Sequence, residues 1–292
     1  CINGYFVNVY RLVQWLKQKK IKTVLTLHAE FMHTANCGHA LDCEKWKTGC
    51  GNCPRLRQET LSWGIDNTAL SYKKMKAAFD GFRDNLKVVS VSPWLMERAK
   101  SSPILGDKNH SVILNGIDTA VFHPAGTCDL REELGLNDEK IIFHATADFQ
   151  DDPQHLKGGY YVLRLAERLQ KDNVKIFVAG EHPRDIQVPE NVTLLGKITD
   201  QHRLAQFYAM ADVTVLTSRR ETFSLVTAES LCCGTPVAGF KAGGPEMITI
   251  PAFSCFCDWA DVDALEENVR GMLADTFDRG QIAQIAAAKY SK

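Results

Sequence analysis

The chain has almost no net charge, because 34 Lys and Arg stand against 35 Asp and Glu and leave −1. It therefore lacks the basic footprint that nucleic-acid binding requires, and nucleic acid is excluded as a partner. It also lacks a long apolar run, since nothing approaches the ~20 consecutive apolar residues of a membrane-spanning helix. Internal repeats and low-complexity tracts are missing as well, which excludes a repeat architecture. The first residue is Cys1, not Met. What remains is ordinary for a soluble globular protein, with 45% hydrophobic and 24% charged residues. A length of 292 residues is enough for two domains, each with its own core.

Apolar residues Phe6, Val9, Leu12, Val13 and Leu16 recur at helical spacing and predict an amphipathic helix over 5–20. An α/β domain rarely begins on a helix, so the expectation is a chain whose first strands are missing. Lys17, Lys19, Lys20 and Lys22 then form a small basic cluster. It suits a solvated helix end or a weak peripheral contact with anionic lipid. A short strand over 23–27 ends at His28, and 29–68 looks polar, cysteine-rich and irregular. Further on, 69–82 predicts a helix and 86–91 a strand. Ser92 and Pro93 suit the cap and first position of the next helix. Another strand is expected over 111–114. Pro124 and Gly126 mark 120–127 as a linker between a first domain over 1–119 and a second over 128–292.

The second half alternates more cleanly. Strands are predicted over 140–145, 174–179, 192–195, 213–216 and 236–238. Helices are predicted over 159–170, 201–210, 225–233, 262–273 and 280–289. Short apolar strands alternating with helices predict an α/β fold with a parallel sheet covered on both faces. Ligands on such a sheet bind at the carboxyl ends of its strands.

The most informative stretch is 221–246, ETFSLVTAESLCCGTPVAGFKAGGPE. Glu221 and Glu229 flank a loop that turns into a helix just after the strand at 213–216. Such a loop aims backbone N–H groups at an anion, and its carboxylates can hold hydroxyls. An anion flanked by hydroxyls describes a nucleotide-diphosphate sugar.

The pattern E-x-F-S-x-x-x-x-E, then G-T-P-V, then G-G-x-E resembles the donor site of retaining glycosyltransferases of the GT-B fold, family 4, of the bacterial polysaccharide and lipopolysaccharide type. Residues 112–118 with Phe122 and Pro124, 192–196, Leu204, Tyr208, Ala211-Asp212 and Thr217-Ser218 follow the same family in order and spacing. The resemblance implies two Rossmann-like doubly wound parallel-sheet domains with a cleft between them, the first incomplete here. It implies transfer of a sugar from a nucleotide-diphosphate sugar to a glycan or lipid-linked acceptor, at the cytoplasmic face of a bacterial plasma membrane. Two other readings stay open: a sugar-nucleotide epimerase or phosphorylase-like enzyme on the same fold, and an impaired fragment that binds nucleotide or zinc.

By resemblance, Glu229 accepts hydrogen bonds from the ribose hydroxyls, and Glu221 lies near the transferred sugar. Phe223, Ser224 and Leu225 offer N–H groups to the diphosphate, and Lys157 adds a point charge for the same oxygens. His28 lies near the donor sugar on the first-domain side, with His33 and His39 as alternatives. Each also has a structural reading: an exposed helical Glu, a loop carboxylate beside Arg219 and Arg220, a solvated Lys, a core His. The family's N-terminal glycine-rich loop is absent, its closing helix looks cut short at Lys292, and Asp152 stands where relatives often carry an Arg before the Lys. Segment 147–156 also looks longer than usual. The expectation is a chain that binds donor and transfers sugar poorly. No catalytic metal or other cofactor is expected, because Asp261-Val262-Asp263 opens a helix and suits capping.

Ten cysteines are unevenly placed, and Cys37, Cys43, Cys50 and Cys53 run C-x5-C-x6-C-x2-C. That density in a loop poor in apolar residues suits a structural tetrahedral zinc, with His39 able to replace one Cys. Bacterial relatives carry a similar insertion ending W-x-x-G-C-x-x-C-P, which 46–54 matches. Two disulfides or free thiols are the alternatives. Cys232, Cys233, Cys255 and Cys257 are expected in the core.

Overall fold

The computed structural model of the chain describes residues 7–60, 62–124 and 128–291. Residues 5–6 of the expected first helix and 125–127 of the expected linker lie outside them. The chain divides into two compact units, Cys1–Leu114 and Asn115–Lys292.

The first unit holds α1 (Val9–Gln18), β1 (Thr23–Leu27), α2 (Phe31–Thr34), α3 (Leu56–Thr60), α4 (Thr68–Phe79), β2 (Leu86–Ser90), α5 (Pro93–Lys100) and β3 (Asn109–Val112). Asn8 starts α1 by accepting the Arg11 N–H at 3.1 Å, and Val9 and Val13 form the buried stripe that the spacing predicts. The three strands run parallel in the order β1-β2-β3. Central β2 buries most of its residues, whereas edge strand β1 leaves Val24 66% exposed. Ser92 caps α5 through the Leu95 N–H, with Pro93 at its first position, as expected. Lys17 of the basic cluster donates to the Asp80 carbonyl at 2.8 Å and so ties down the end of α1.

Residues 29–68 are more ordered than expected, with two short helices and a 3-10 turn at Lys45–Lys47. The organiser is Trp46, only 1% exposed. Its indole donates to the Cys43 carbonyl, the Tyr72 hydroxyl donates to the Trp46 carbonyl, and the Arg98 guanidinium lies 4.8 Å over the Trp46 ring. Beneath it, fully buried Glu30 accepts from Arg98 and from the Ala40 N–H.

The second unit holds α6 (Cys128–Glu133), β4 (Lys140–Asp148), α7 (Gly159–Arg168), β5 (Val174–Glu181), β6 (Val192–Gly196), α8 (Gln201–Met210), β7 (Val213–Leu216), α9 (Leu225–Cys232), β8 (Val237–Phe240), α10 (Gly244–Ile248), β9 (Ser254–Cys257), α11 (Val262–Ala274) and α12 (Arg279–Tyr290). Its six strands are all parallel, in the order β6-β5-β4-β7-β8-β9. Relabelled by sequence, this is the 3-2-1-4-5-6 order of nucleotide-binding doubly wound sheets, and the order reverses between β4 and β7. Ile141, Ile142, Phe143, Val213 and Val215 of these two strands are fully buried, as their apolar runs require. Gly234 closes α9 at φ 79°, a left-handed position that favours glycine.

Two expectations are corrected. The units divide at Leu114/Asn115, ahead of the linker expected at 120–127. The Ile117 N–H donates to the Tyr290 carbonyl at 2.7 Å, and Phe122 is buried with its ring 6.3 Å from that of Tyr208, so this stretch packs on the second unit. Cys232 and Cys233 are buried as expected, but Cys255 is exposed and Cys257 half-buried. Both lie on β9, an edge strand without a neighbour on its outer side. Among the described residues, no helix is long and apolar enough to cross a membrane.

Candidate functional site

The site in the second unit grows from two loops at the switch point. One follows β4 and ends in Lys157-Gly158 at the start of α7, and the other follows β7 and ends at α9. They are hydrogen-bonded together: the Arg219 N–H donates to the Leu156 carbonyl at 2.8 Å. Gly158 has φ 69°, and a Cβ there would stand 2.0 Å from the Thr217 carbonyl oxygen. Only glycine lets the loops approach this closely.

Lys157 and Glu221, 64 residues apart, meet as an ion pair at 2.7 Å with side chains 28% and 19% exposed. The sequence singles out each residue but not their pairing. The Glu221 backbone is pinned on both sides, since its N–H donates to the Ala242 carbonyl at 3.0 Å and its carbonyl accepts the Gly244 N–H at 2.9 Å. Gly244 is needed there, because a Cβ would lie 2.5 Å from the Thr222 carbonyl. Glu246 completes the turn by accepting the Ala242 and Gly243 N–H groups at 2.8–3.0 Å. The signal for Glu246 is its place three residues into the helix after Gly243, where a carboxylate reaches back to the cap.

Ser224 caps α9 at φ 77°, a left-handed conformation rare outside glycine, and its hydroxyl accepts the Thr227 N–H at 3.2 Å. Such strain costs roughly 1–3 kcal/mol and recurs at ligand sites. By helix geometry the N–H groups of Leu225 and Val226 have no acceptor within α9. Together with the helix dipole they suit an anion. Leu225 itself is 49% exposed, while Phe223 is buried with its ring edge-on to Tyr290 and anchors the loop.

Glu229 sits half-buried on α9 and accepts from the Tyr208 hydroxyl at 3.2 Å. Burial pushes its carboxyl up to about 7, with the Tyr208 bond pulling the other way. Tyr208 is fully buried, edge-on to Phe143. The family pattern includes Tyr208, yet its bond to Glu229 depends on α8 packing against α9. Below the loops, burial holds the His144 imidazole down at about 4, and its Nδ1 faces the Val215 carbonyl at 2.9 Å.

Other candidates fall elsewhere. His28 is exposed immediately after β1, at the strand end where the sequence puts it. The alternative His33 is buried against Glu30 and Trp46 and belongs to the core of the first unit. His39 is half-buried, with its carbonyl taken by Arg55. Asp261 caps α11 through the Ala264 N–H at 3.0 Å, as expected, while Asp263 pairs with Arg168 of α7. Cys37, Cys43, Cys50 and Cys53 line one small cavity in the first unit, and none is in a disulfide. Among the described residues, no three His, Cys, Asp or Glu side chains stand in a metal-holding arrangement.

Residues 140–275 match the family model of glycosyl transferases group 1. The chain is 31% identical over 207 residues to D-inositol 3-phosphate glycosyltransferase of Streptosporangium roseum, covering 62% of this chain and 46% of that protein. It is 26% identical over 181 residues to N-acetyl-alpha-D-glucosaminyl L-malate synthase of Bacillus anthracis, covering 58% and 45%. The chain thus spans about half the length of the curated relatives it matches. In fold it is similar to sucrose-phosphate synthase of Thermosynechococcus elongatus, with a TM-score of 0.68, 21% identity, and 95% of this chain and 66% of that one covered. Anabaena HepE in complex with UDP also gives a TM-score of 0.68, at 15% identity, covering 97% and 72%. These likenesses show the GT-B fold, an α/β architecture of two parallel sheets. Residues 140–275, just under half of the chain, are thus similar to glycosyl transferases group 1.

Proposed function

We propose that the protein is a retaining glycosyltransferase of family 4. It moves a sugar from a nucleotide-diphosphate sugar to a glycan or lipid-linked saccharide acceptor in cell-surface polysaccharide biosynthesis. The setting proposed is the cytoplasmic face of a bacterial plasma membrane. The observation that carries the reading is the Lys157–Glu221 ion pair at the switch point, followed at once in the chain by α9, which is capped by Ser224 and carries Glu229.

Each group has a role that its chemistry supports. The Leu225 and Val226 amides and the Lys157 ammonium stabilise the diphosphate, whose charge grows as the sugar leaves. Phe223 and Ser224 shape the loop that presents those amides. Glu229 accepts from the ribose hydroxyls. Glu221 holds a hydroxyl of the transferred sugar or steadies positive charge at its anomeric carbon, and we do not assign it as a nucleophile. Donor binding competes with the Lys157–Glu221 pair, so the ammonium is exchanged from the carboxylate to the phosphates. His28 is assigned to a hydroxyl of the transferred sugar. The leaving phosphate assists the incoming hydroxyl on the same face, which retains anomeric configuration.

UDP-glucose, present in a HepE structure, is the first donor to test. Binding of UDP-glucose by calorimetry, and transfer to a saccharide acceptor with the product anomer assigned by proton NMR, test the proposal. Inversion would remove the retaining assignment. Isomerisation of donor without acceptor would favour an epimerase.

A further inference from the structure

We propose that Cys37, Cys43, Cys50 and Cys53 bind one structural zinc ion that closes the insertion at residues 29–68. Along the sequence these thiols are separated by five, six and two residues, yet the fold brings all four to the wall of a single cavity. That cavity is about 20 Å³. A water-sized occupant needs roughly 10–15 Å³ of such space, so it has room for one ion and not for an organic ligand. Cys37 is buried and the other three are half-buried, with Trp46 and Pro54 completing the apolar wall. No carboxylate lines it. Soft thiolate donors in a dry wall select zinc over magnesium or calcium.

The backbone is held in place without using the sulfurs. Gly49, Gly51 and Asn52 take φ of 142°, 135° and 47°, which turns the chain tightly between Cys50 and Cys53. Lys45 donates to the Gly51 and Asn52 carbonyls at 3.0 and 2.6 Å. The Cys53 N–H donates to Asp66 at 2.7 Å, and the Cys37 N–H donates to the Thr34 hydroxyl at 3.0 Å. What this scaffold leaves for the thiols is the cavity. The Cys50 thiol lies 3.7 Å from the Thr34 carbonyl, a long contact.

The four thiols are not yet gathered at ligating distance, so the ion itself would draw them in. The step balances as four thiols and one Zn²⁺ giving a tetrathiolate site of net charge −2, with four protons released to solvent. Lys45 beside the cavity offsets part of that charge.

The inference is independent of the glycosyltransferase reading, because its readout is metal content. Protein purified in reductant without added metal should contain about one zinc per chain by elemental analysis. A mercurial that titrates the thiols should release that zinc to a colorimetric chelator. Cobalt exchanged into the site should show the intense thiolate charge-transfer and visible bands of tetrahedral sulfur coordination. Cys50→Ser should lose most of the metal, whereas Cys232→Ser, at a core cysteine of the second unit, should keep it. Less than about a tenth of an equivalent of zinc in reduced, zinc-incubated wild type would overturn the proposal. So would a cobalt spectrum without thiolate bands, or disulfides mapped among the four in reduced protein. Those wild-type measurements decide the matter even if Cys50→Ser does not fold.

Discussion

In the proposed donor site Glu229 would join donor affinity to proton binding, and the two can be measured in one experiment. Burial pushes its carboxyl up to about 7 from an ordinary value near 4.5, while the Tyr208 bond at 3.2 Å favours the ionised form. A docked ribose offers two vicinal hydroxyl donors, and an ionised carboxylate can accept both. Hydrogen bonds to a charged group contribute about 1.5–3 kcal/mol. Glu229→Ala should therefore weaken nucleotide binding by roughly 10- to 150-fold. Below its pKa the ionised fraction falls about tenfold per pH unit, so wild-type affinity should weaken steadily from about pH 8 to about pH 5.5. Glu229→Gln, which has no charge to lose, should bind weakly at every pH. Stability runs in the opposite sense. The folded pKa lies above the unfolded value, so the neutral carboxyl favours the folded state. That contribution is fully present below about 4.5 and is lost as pH rises through about 7. Glu229→Gln should thus melt higher than wild type at about pH 8, with the gain shrinking at about pH 5. The assay is calorimetric titration of UDP-glucose, whose phosphates have no second ionisation near neutrality, beside thermal melts in the same buffers. Equal affinities for wild type and Glu229→Ala across the range would refute the ribose assignment.

The remaining predictions concern the rest of the site and the first unit. Lys157→Ala should weaken binding of UDP more than of uridine in parallel titrations, because only UDP carries the phosphates. Equal losses for both ligands would count against a phosphate contact. Gly158→Ala would put a Cβ 2.0 Å from the Thr217 carbonyl at φ 69°, so scanning calorimetry should find a lower melting temperature. An unchanged melt would mean that the two loops are not locked together. In the first unit, burial alone would raise the Glu30 carboxyl, but the His33 bond and the Arg98 charge hold it down at about 2. Arg98→Ala should cost about 3–5 kcal/mol in urea unfolding at neutral pH, since it leaves a buried carboxylate unpaired. The wild-type stabilisation should be present above about 4.5 and fade as pH falls through about 2. His28→Ala should lower turnover in a transfer assay far more than it weakens donor binding, because a group acting at the reacting sugar is felt mostly in the transition state. The opposite split would make His28 a donor-binding residue.

Much of the fold was legible because buried parallel strands are short apolar runs with little ambiguity. Val213–Leu216 is the observed β7, and Lys140–Asp148 extends the strand expected over 140–145. Caps were legible for the same local reason, as at Ser92 and Asp261. What escaped depends on which elements become neighbours. The Lys157–Glu221 pair exists because β4 and β7 adjoin at the switch point. Tyr208 reaches Glu229 because α8 packs on α9. Cys255 has the alternation of a core strand, but β9 lies at the sheet edge. Phe122 sits in a run that reads as linker, and its burial comes from Tyr208, far along the chain. The insertion hid its order because its organising contacts, from Glu30 and Trp46 to Arg98, are long-range and polar.

A crystal structure of the protein with UDP-glucose tests the central claim most directly. The diphosphate should lie against the Leu225 and Val226 amides, with the Lys157 ammonium turned from Glu221 toward its oxygens and both ribose hydroxyls on Glu229. A nucleotide bound away from the β4–β7 switch point, with the Lys157–Glu221 pair intact, would contradict it.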